Sequence, residues 1–277
     1  MNSNFPKISV VTPSFDQGRF LEQTIRSVLD QAYPNLEYII IDGNSSDNSV
    51  EIIKKYESHI SYWVSEPDKG QTQAINKGLR KATGDILAYL NSDDVYLPGC
   101  FAKISRFFSE NKDVGLVYGD CDIIDENGKL IMHRRELDFD YTMGCMIGFG
   151  IIISQPSVFF TRETFEKVGY FNEQIQNSMD SEYWFRVAQV ATIRHIPVTL
   201  SGFRIHGGSK TNSLKSGQNP KFRGEIEAVL KQGYETLGIS KIIPYRYSYA
   251  FRMLYRLKRF IPRLFRGYHF KMLLLML

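Results

Sequence analysis

Residues 7–49 read KISVVTPSFDQGRFLEQTIRSVLDQAYPNLEYIIIDGNSSDNS, and the order of apolar and polar residues along them decides the fold class. Lys7 to Thr12 is a short β-branched run, which predicts a strand. Leu21, Ile25, Val28 and Leu29 then recur at helical spacing as far as Pro34. Leu36 to Asp42 is a second strand, apolar enough to be buried on both faces. A strand, a helix and a strand in succession signal an α/β sheet.

The same alternation continues outward. Asp47 is placed to cap a helix carrying Val50, Ile53 and Tyr56. Ser61 to Val64 predicts a third strand, Gly70 to Ala82 a helix, and Asp85 to Leu90 a fourth strand that ends in Asn91-Ser92-Asp93-Asp94. Gly115 to Asp125, the turn Glu126-Asn127-Gly128-Lys129 and Leu130 to His133 predict a hairpin. From His133 to about residue 150 the pattern favours no single element. Ser157 to Thr161 reads as a strand, Asp180 to Val190 as a helix, and Thr192 to Phe203 as one or two strands. Gly207 to Pro220, rich in glycine and hydroxyl residues, predicts a mobile loop or a boundary.

Of the 277 residues 43% are hydrophobic and 13% aromatic, enough for one large domain or a domain with an appendage, which excludes a disordered or fibrous chain. Cys100, Cys121 and Cys145 have no CxxC or Cys/His spacing, so neither a disulfide framework nor a zinc site is expected, and reduced, cytosolic, partly buried thiols are. The first residues carry no charged n-region before an apolar h-region, so no signal peptide is expected. No apolar run reaches the roughly 20 residues that span a bilayer.

Ligands of open α/β sheets bind beyond the carboxyl ends of the strands. Thr12-Pro13-Ser14, Asp42-Gly43 and Asp93-Asp94 all fall at such ends. Each also reads as a plain turn or, for Asp93-Asp94, as the cap of a helix before Phe101. Adjacent carboxylates repel by several kcal/mol, on the order expected at about 4 Å and an intermediate dielectric, and a divalent cation removes that conflict. Oxygen ligands suit magnesium or manganese, and such an ion suits a diphosphate leaving group.

Beyond the opening stretch, EPDKGQTQAINKGLRKATGDILAYLNSDDVYLPG, QPSVFF, VGYFNE, MDSEYWFR and FRIHGGSKT complete a pattern that resembles the family 2 glycosyltransferases of the GT-A fold, over roughly residues 7–210. The resemblance implies an α/β fold with a Rossmann-like, mostly parallel central sheet flanked by helices. It implies a catalytic domain at 1–215, with a nucleotide-sugar half to about residue 96 and an acceptor half at 97–215. It also implies sugar transfer from a nucleotide-diphosphate sugar, a UDP-sugar by preference, to an acceptor hydroxyl with inversion, using Mn2+ or Mg2+.

Residue by residue, Pro13 and Asp42 match the nucleoside-holding positions, with Thr12 and Ser14 beside them. Glu66, Asp68 and Gly70 match the loop lining the same pocket, and Gln73 and Asn76 the helix behind it. Asn91, Ser92, Asp93 and Asp94 match the Asp-x-Asp region, with Asp93 the preferred metal ligand and Asp94 and His206 its companions; Gln155 is a further donor-binding position. Asp180 matches the general base, with Trp184 and Arg186 supporting its helix, and His206-Gly207-Gly208 matches the loop that closes over the diphosphate. A single positioned carboxylate needs no covalent intermediate, which agrees with inversion. Asp180 also reads as a helix cap, and Glu182 is the second choice of base. Two departures stand out: Asn91 replaces the first Asp of the metal motif, and Met179 stands where a Glu is usual.

Residues 242–277 contain basic side chains and no Asp or Glu, which accounts for the net charge of +4. Arg252, Arg256, Arg259, Arg263 and Arg266 form one helical stripe, and Ala250, Leu254, Leu257, Ile261 and Leu264 another, with Pro262 set to kink or divide the helix. Residues 216–277 thus read as a basic amphipathic extension attracted to anionic lipid, placing the protein in the cytoplasm at the inner face of the membrane, the alternative being an apolar face packed on the catalytic domain or a second subunit. A lipid-linked glycan or polysaccharide acceptor follows by analogy. A nucleic-acid partner is not expected, since no binding motif accompanies the arginines.

The competing classes are a sugar-nucleotide nucleotidyltransferase and a catalytically silent nucleotide-sugar-binding membrane adaptor. The first needs a glycine-rich basic phosphate loop, which TPSFDQGRF lacks. The absence of GxGxxG after the first strand disfavours an NAD-linked enzyme.

Overall fold

The structure, a computed structural model, describes residues 5–209, 220–242, 245 and 249–265. The chain begins β1 (Ile8–Ser14), α1 (Gly18–Leu29), β2 (Leu36–Asp42), α2 (Ser49–Lys55), β3 (Tyr62–Ser65), α3 (Gln71–Lys81) and β4 (Ile86–Tyr89). These four strands are parallel, with β1 between β2 and β4, and β1 and β2 pair in register from Ile8 opposite Leu36 to Ser14 opposite Asp42. Every residue of β1 is buried, because the sheet is covered on both sides.

Period-two alternation sorts these strands into two cores. Val11, Ile39, Ile41, Leu87 and Tyr89 face one side, against Ala74, Ile75 and Leu79 of α3. Ile8, Val10, Tyr38, Ile40, Ile86 and Ala88 face the other, against Leu21, Ile25 and Val28 of α1. Each of the Val, Leu and Ile side chains among them contributes about 1.5–3 kcal/mol by leaving water. Gly78 lets α3 lie close on the sheet, since a Cβ there would meet Val11 at 2.3 Å.

The second half adds β5 (Val95–Tyr96), α4 (Cys100–Glu110), β6 (Val114–Ile124), β7 (Leu130–Arg134), α5 (Tyr141–Ile147), α6 (Phe149–Ile152), β8 (Val158–Thr161), α7 (Arg162–Val168), α8 (Met179–Val190) and β9 (Thr192–Arg204). The strands join one nine-stranded sheet in the order β3-β2-β1-β4-β8-β6-β9-β5, with β7 hairpinned onto β6. Strand β8 runs antiparallel to both β4 and β6, and β9 runs parallel to β6. Two further helices, α9 (Pro220–Thr236) and α10 (Tyr249–Phe265), follow.

The stretch without a sequence pattern is resolved into α5 and α6. Asp140 starts α5 by accepting from Met143 N at 2.8 Å, and Gly148 separates the two helices. Thr192–Arg204 is one strand, with register shifts against β6 in place of a break. Asp47 does not occupy the cap of α2, which falls to Asn48; its carboxylate accepts from Ser49 N at 2.9 Å and Gly18 N at 2.8 Å, tying α2 to the start of α1. Nor do Asp93 and Asp94 cap α4, whose N-cap is Gly99.

Helix α9 packs Val229, Leu230 and Tyr234 inward, and its Gly233 abuts the Cys145 backbone. In α10, Lys258 Nζ donates to Asp140 Oδ2 at 2.9 Å. Helix α10 runs through Pro262, so the chain is not divided there; a proline removes one intrahelical hydrogen bond, which alone does not end a helix. Residues 210–219, most of the expected loop or boundary, lie outside the described residues, as do Arg266 and Met272 to Leu277. All three cysteines are free and buried. Burial pushes each thiol up, Cys121 to about 12 and Cys145 to about 11.

Candidate active site

A cleft of about 1000 Å³ opens at the carboxyl ends of β1, β2 and β4. Pro13, Ser14, Phe15 and Asp16 form part of its wall, because β1 ends there and the chain turns into α1. The loops after β1 and β2 are laced together: Asp16 accepts from Ser46 N at 2.7 Å, and Asp16 N donates to Ser45 Oγ at 2.9 Å. Asp68 reaches the cleft from the loop after β3 and accepts from Gly70 N at 2.7 Å. Gly70 starts α3 with φ at +114°, a backbone conformation that side-chain-bearing residues rarely adopt.

Beyond β4 the floor is a chain of amides. Gln71 Nε2 donates to Asn91 Oδ1 at 2.6 Å, Asn91 Nδ2 to Gln155 Oε1 at 3.1 Å, and Gln155 Nε2 to Tyr89 O at 2.9 Å. The neutral Asn91 can therefore both donate and accept, which an Asp in its place could not do at neutral pH.

Asp93 and Asp94 point apart. Asp93 lines the cleft, and its Oδ2 lies 3.0 Å from His206 Nε2, brought in from the end of β9. His206 packs against the Phe20 ring at 4.5 Å between centroids. Asp94 is fully buried and accepts from Arg204 N at 2.9 Å and Asn91 Nδ2 at 3.4 Å. Burial, reinforced by the charge of Asp93, raises its carboxyl well above the usual range.

Asp180 enters from the second residue of α8. It is not the cap, which is Ser178; its Oδ1 accepts from Ser181 N at 2.7 Å. A carboxylate in the first turn is favoured by the helix dipole. Burial nevertheless raises its pKa, against the Ser181 N–H and the positive charge of Arg134. Tyr89 is buried and feels the charge of both Asp180 and Asp94, and its phenol is pushed up by burial and then by them. Glu182 is held by Arg186 at 2.7 and 3.0 Å and does not line the cleft, so the second choice of base is removed. Arg186 also donates to the Val168 and Tyr170 carbonyls, and Trp184 is fully buried.

Of the donor-binding residues expected from sequence, Pro13, Ser14, Asp68, Gly70, Asn91, Ser92, Asp93, Gln155 and His206 meet in this cleft with Asp180. Thr12, Asp42, Glu66, Gln73, Asn76 and Asp94 do not line it. Asp42 is buried beneath the wall and accepts from Ser45 N, Ser45 Oγ and Ser65 Oγ at 2.9, 2.5 and 2.6 Å, so its lone pairs shape the loops. Thr12 pairs with Tyr38 Oη at 3.1 Å, and Glu66 with Lys77 at 2.8 Å. Gln73 and Asn76 turn to Glu173, and Asn76 brackets Phe171 through its backbone N and O, fastening α3 to the segment before α8.

Several lining residues escaped the sequence reading, among them Phe15, Asp16, Arg19 and Phe20, which directly follow Thr12-Pro13-Ser14 in FDQGRF. Their adjacency to a strand end was the available signal. Gln176 and Asn177 had none, for their backbone is held by Glu225 of α9, with Asn177 N donating at 2.8 Å.

The cleft is acidic. Asp16, Asp47, Asp68, Asp93, Glu126 and Asp180 line it, against one arginine among the described lining residues, Arg19, which pairs with Glu126 at 3.0 Å. Among the described residues no three His, Cys, Asp or Glu side chains converge into a complete protein cage for a metal. Asp93 and His206 do fit a Mg2+ or Mn2+ site of the usual kind, in which one or two side chains are completed by phosphate oxygens and water.

The glycosyl transferase family 2 model matches residues 9–170. An uncharacterised glycosyltransferase of Rickettsia typhi is 25% identical over 223 residues, covering 76% of this chain and 68% of its own. TarS of S. aureus, residues 1–349 in complex with UDP-GlcNAc, superposes with a TM-score of 0.61 at 14% identity, covering 87% of this chain and 77% of that one. In another TarS crystal structure the chain matches 42% of the TarS length. The mannosyltransferase PcManGT of Pyrobaculum calidifontis, in complex with GDP-Man and Mn2+, superposes with a TM-score of 0.58 at 17% identity, covering 84% and 70%. The chain belongs to glycosyl transferase family 2 and has the GT-A fold.

Proposed function

We propose that this chain is a metal-dependent inverting glycosyltransferase that moves a sugar from a nucleotide-diphosphate sugar, a UDP-sugar by preference, to an acceptor hydroxyl. The observation that carries the reading is the opening of Asp180 and the Asp93–His206 pair onto one cleft at the strand ends. The nucleotide sugars held by the TarS and PcManGT neighbours support a donor of that class.

In this reading Asp93 and His206 hold the cation, and the amide chain of Gln71, Asn91 and Gln155 binds donor hydroxyls. When bound, the cation neutralises the diphosphate and stabilises the charge it gains as it leaves. An acidic cleft would otherwise repel a dianionic donor, so the Mn2+ of the PcManGT complex supports the same requirement. Asp180 takes the proton from the acceptor hydroxyl. The freed oxygen attacks the anomeric carbon as its bond to the diphosphate breaks on the opposite face, which inverts the centre. Burial makes Asp180 a stronger base than an exposed carboxylate.

We divide the chain into a catalytic part at 1–215 and a basic extension at 216–277. The extension directs the protein to the inner face of a membrane, with a lipid-linked or polysaccharide glycan as acceptor. Supporting this, Leu254, Leu257 and Ile261 of α10 are 62, 49 and 51% exposed, and no acidic residue follows Ile242. Among the described residues no helix is long and apolar enough to cross a membrane.

A thermal-shift screen of UDP, GDP and dTDP with their sugars, with and without Mn2+, tests the donor and metal together. A rise in Tm for one nucleotide sugar that requires Mn2+ is expected, and no response to any of them would remove the reading.

A further inference from the structure

Arg204 closes β9 two residues before His206, and only 1% of its surface is exposed. A guanidinium is costly to bury unless its N–H donors are met. Here Nε donates to the Asp93 carbonyl at 2.7 Å, Nη1 to the Asp125 and Glu126 carbonyls at 3.2 Å each, and Nη2 to Gln23 Oε1 at 2.8 Å. The fork thus joins β9 to α1, to the loop after β4 and to the β6–β7 turn.

The identity of those acceptors matters. The guanidinium charge is felt by the acidic pair, but every guanidinium bond goes to a carbonyl or an amide, and Asp94 is met by the backbone N–H. The Asp93 carboxylate is left to face His206. The guanidinium carbon also lies 5.1 Å from the centre of the Phe20 ring, whose centre is 4.5 Å from that of His206. Arg204, Asp93, His206 and Phe20 therefore form a closed circuit in which Arg204 stands behind both members of the pair.

We propose that Arg204 is the positioning residue of the cation platform: it fixes the Asp93 backbone directly and the His206 ring through Phe20, and it touches neither cation nor donor. This inference rests on the metal-dependent reading above.

The test is Mn2+ binding, followed by electron paramagnetic resonance in the presence of UDP, for the wild type, Arg204→Lys and Phe20→Leu. Lysine keeps the charge but cannot span four acceptors. Arg204→Lys is expected to weaken Mn2+ binding tenfold or more while changing metal-free UDP affinity less than twofold, and Phe20→Leu to weaken Mn2+ threefold or more. A merely structural arginine would lower Tm and leave the Mn2+ affinity of the folded protein unchanged, which would overturn the proposal. Should Arg204→Lys fail to fold, unchanged Mn2+ affinity in Phe20→Leu overturns it equally. Absence of Mn2+ binding by the wild type would end the metal reading and this proposal together, whereas equal binding by all three proteins ends this proposal alone.

Discussion

His206 Nε2 lies 3.0 Å from Asp93 Oδ2 although 113 residues separate them along the chain. Neighbouring Asp94 is turned into the interior to meet the backbone of Arg204. The two carboxylates of the motif therefore have different tasks, and substitution separates them. Asp93→Asn and His206→Ala are each expected to weaken Mn2+-dependent donor binding tenfold or more in calorimetric titration. Asp94→Asn keeps an acceptor for Arg204 N and is expected to change that affinity less than threefold. Equal losses from Asp93→Asn and Asp94→Asn would contradict the assignment.

Asp180→Asn retains the shape of the side chain and removes its basicity. Donor affinity should hold within about twofold, and kcat should fall on the order of a hundredfold or more. Turnover at the wild-type rate would take Asp180 out of the reaction.

The pH dependence follows from the same group. Asp180 acts only when deprotonated, and burial raises its pKa above the ordinary 3.8. Activity should therefore decline as pH falls, and the decline should begin at a higher pH than an exposed aspartate would give. A kcat/KM profile with its acid limb at or below 3.8 would argue against this environment.

Stability has its own acid-sensitive group far from the cleft. Burial alone would raise the Glu37 carboxyl, but Lys7 Nζ, Ser9 Oγ and the N–H and hydroxyl of Thr83 outweigh it and hold the group at about 2, against an ordinary 4.5. A depressed carboxyl stabilises the fold above its unfolded pKa and loses that contribution as pH falls through the folded one. Glu37→Gln should cost ~2–3 kcal/mol at neutral pH. The deficit relative to wild type should shrink between pH 4.5 and about 2 in urea denaturation. A constant deficit across that window would show that the charge is not responsible.

The exposed face of α10 gives a fifth outcome. Leu254→Ser, Leu257→Ser and Ile261→Ser together should reduce co-sedimentation with anionic phosphatidylglycerol vesicles at least tenfold, and change Tm far less than substitutions in the core would, because about half or more of each residue is exposed. Equal sedimentation with phosphatidylcholine vesicles would count against an electrostatic component.

The strands were legible because β1, β2 and β4 are short apolar runs, β-branched or aromatic in part, separated by helical spacing, and the hairpin because of its Asn127-Gly128 turn. The loops at the site were legible for the same reason, since strand ends fix where they emerge. Side-chain direction was not. Asp93 and Asp94 are adjacent letters, yet one faces the cleft and His206 and the other the backbone of Arg204. Asp42 sits at the right strand end, but local hydroxyls claim its carboxylate. Gln176 and Asn177 were invisible because Glu225, distant in sequence, holds their backbone in place. Helices α5 and α6 lacked a usable pattern because none of their residues is exposed, which erases amphipathic contrast.

The interior placement of Cys100, Cys121 and Cys145 has a practical consequence. Raised and enclosed thiols react slowly, so the native protein should be almost inert to maleimides. A cysteine introduced at Gly207, where an added Cβ meets nothing within 4 Å, would then be the sole attachment point for a fluorophore, reporting donor arrival beside His206 with no need to remove a native residue.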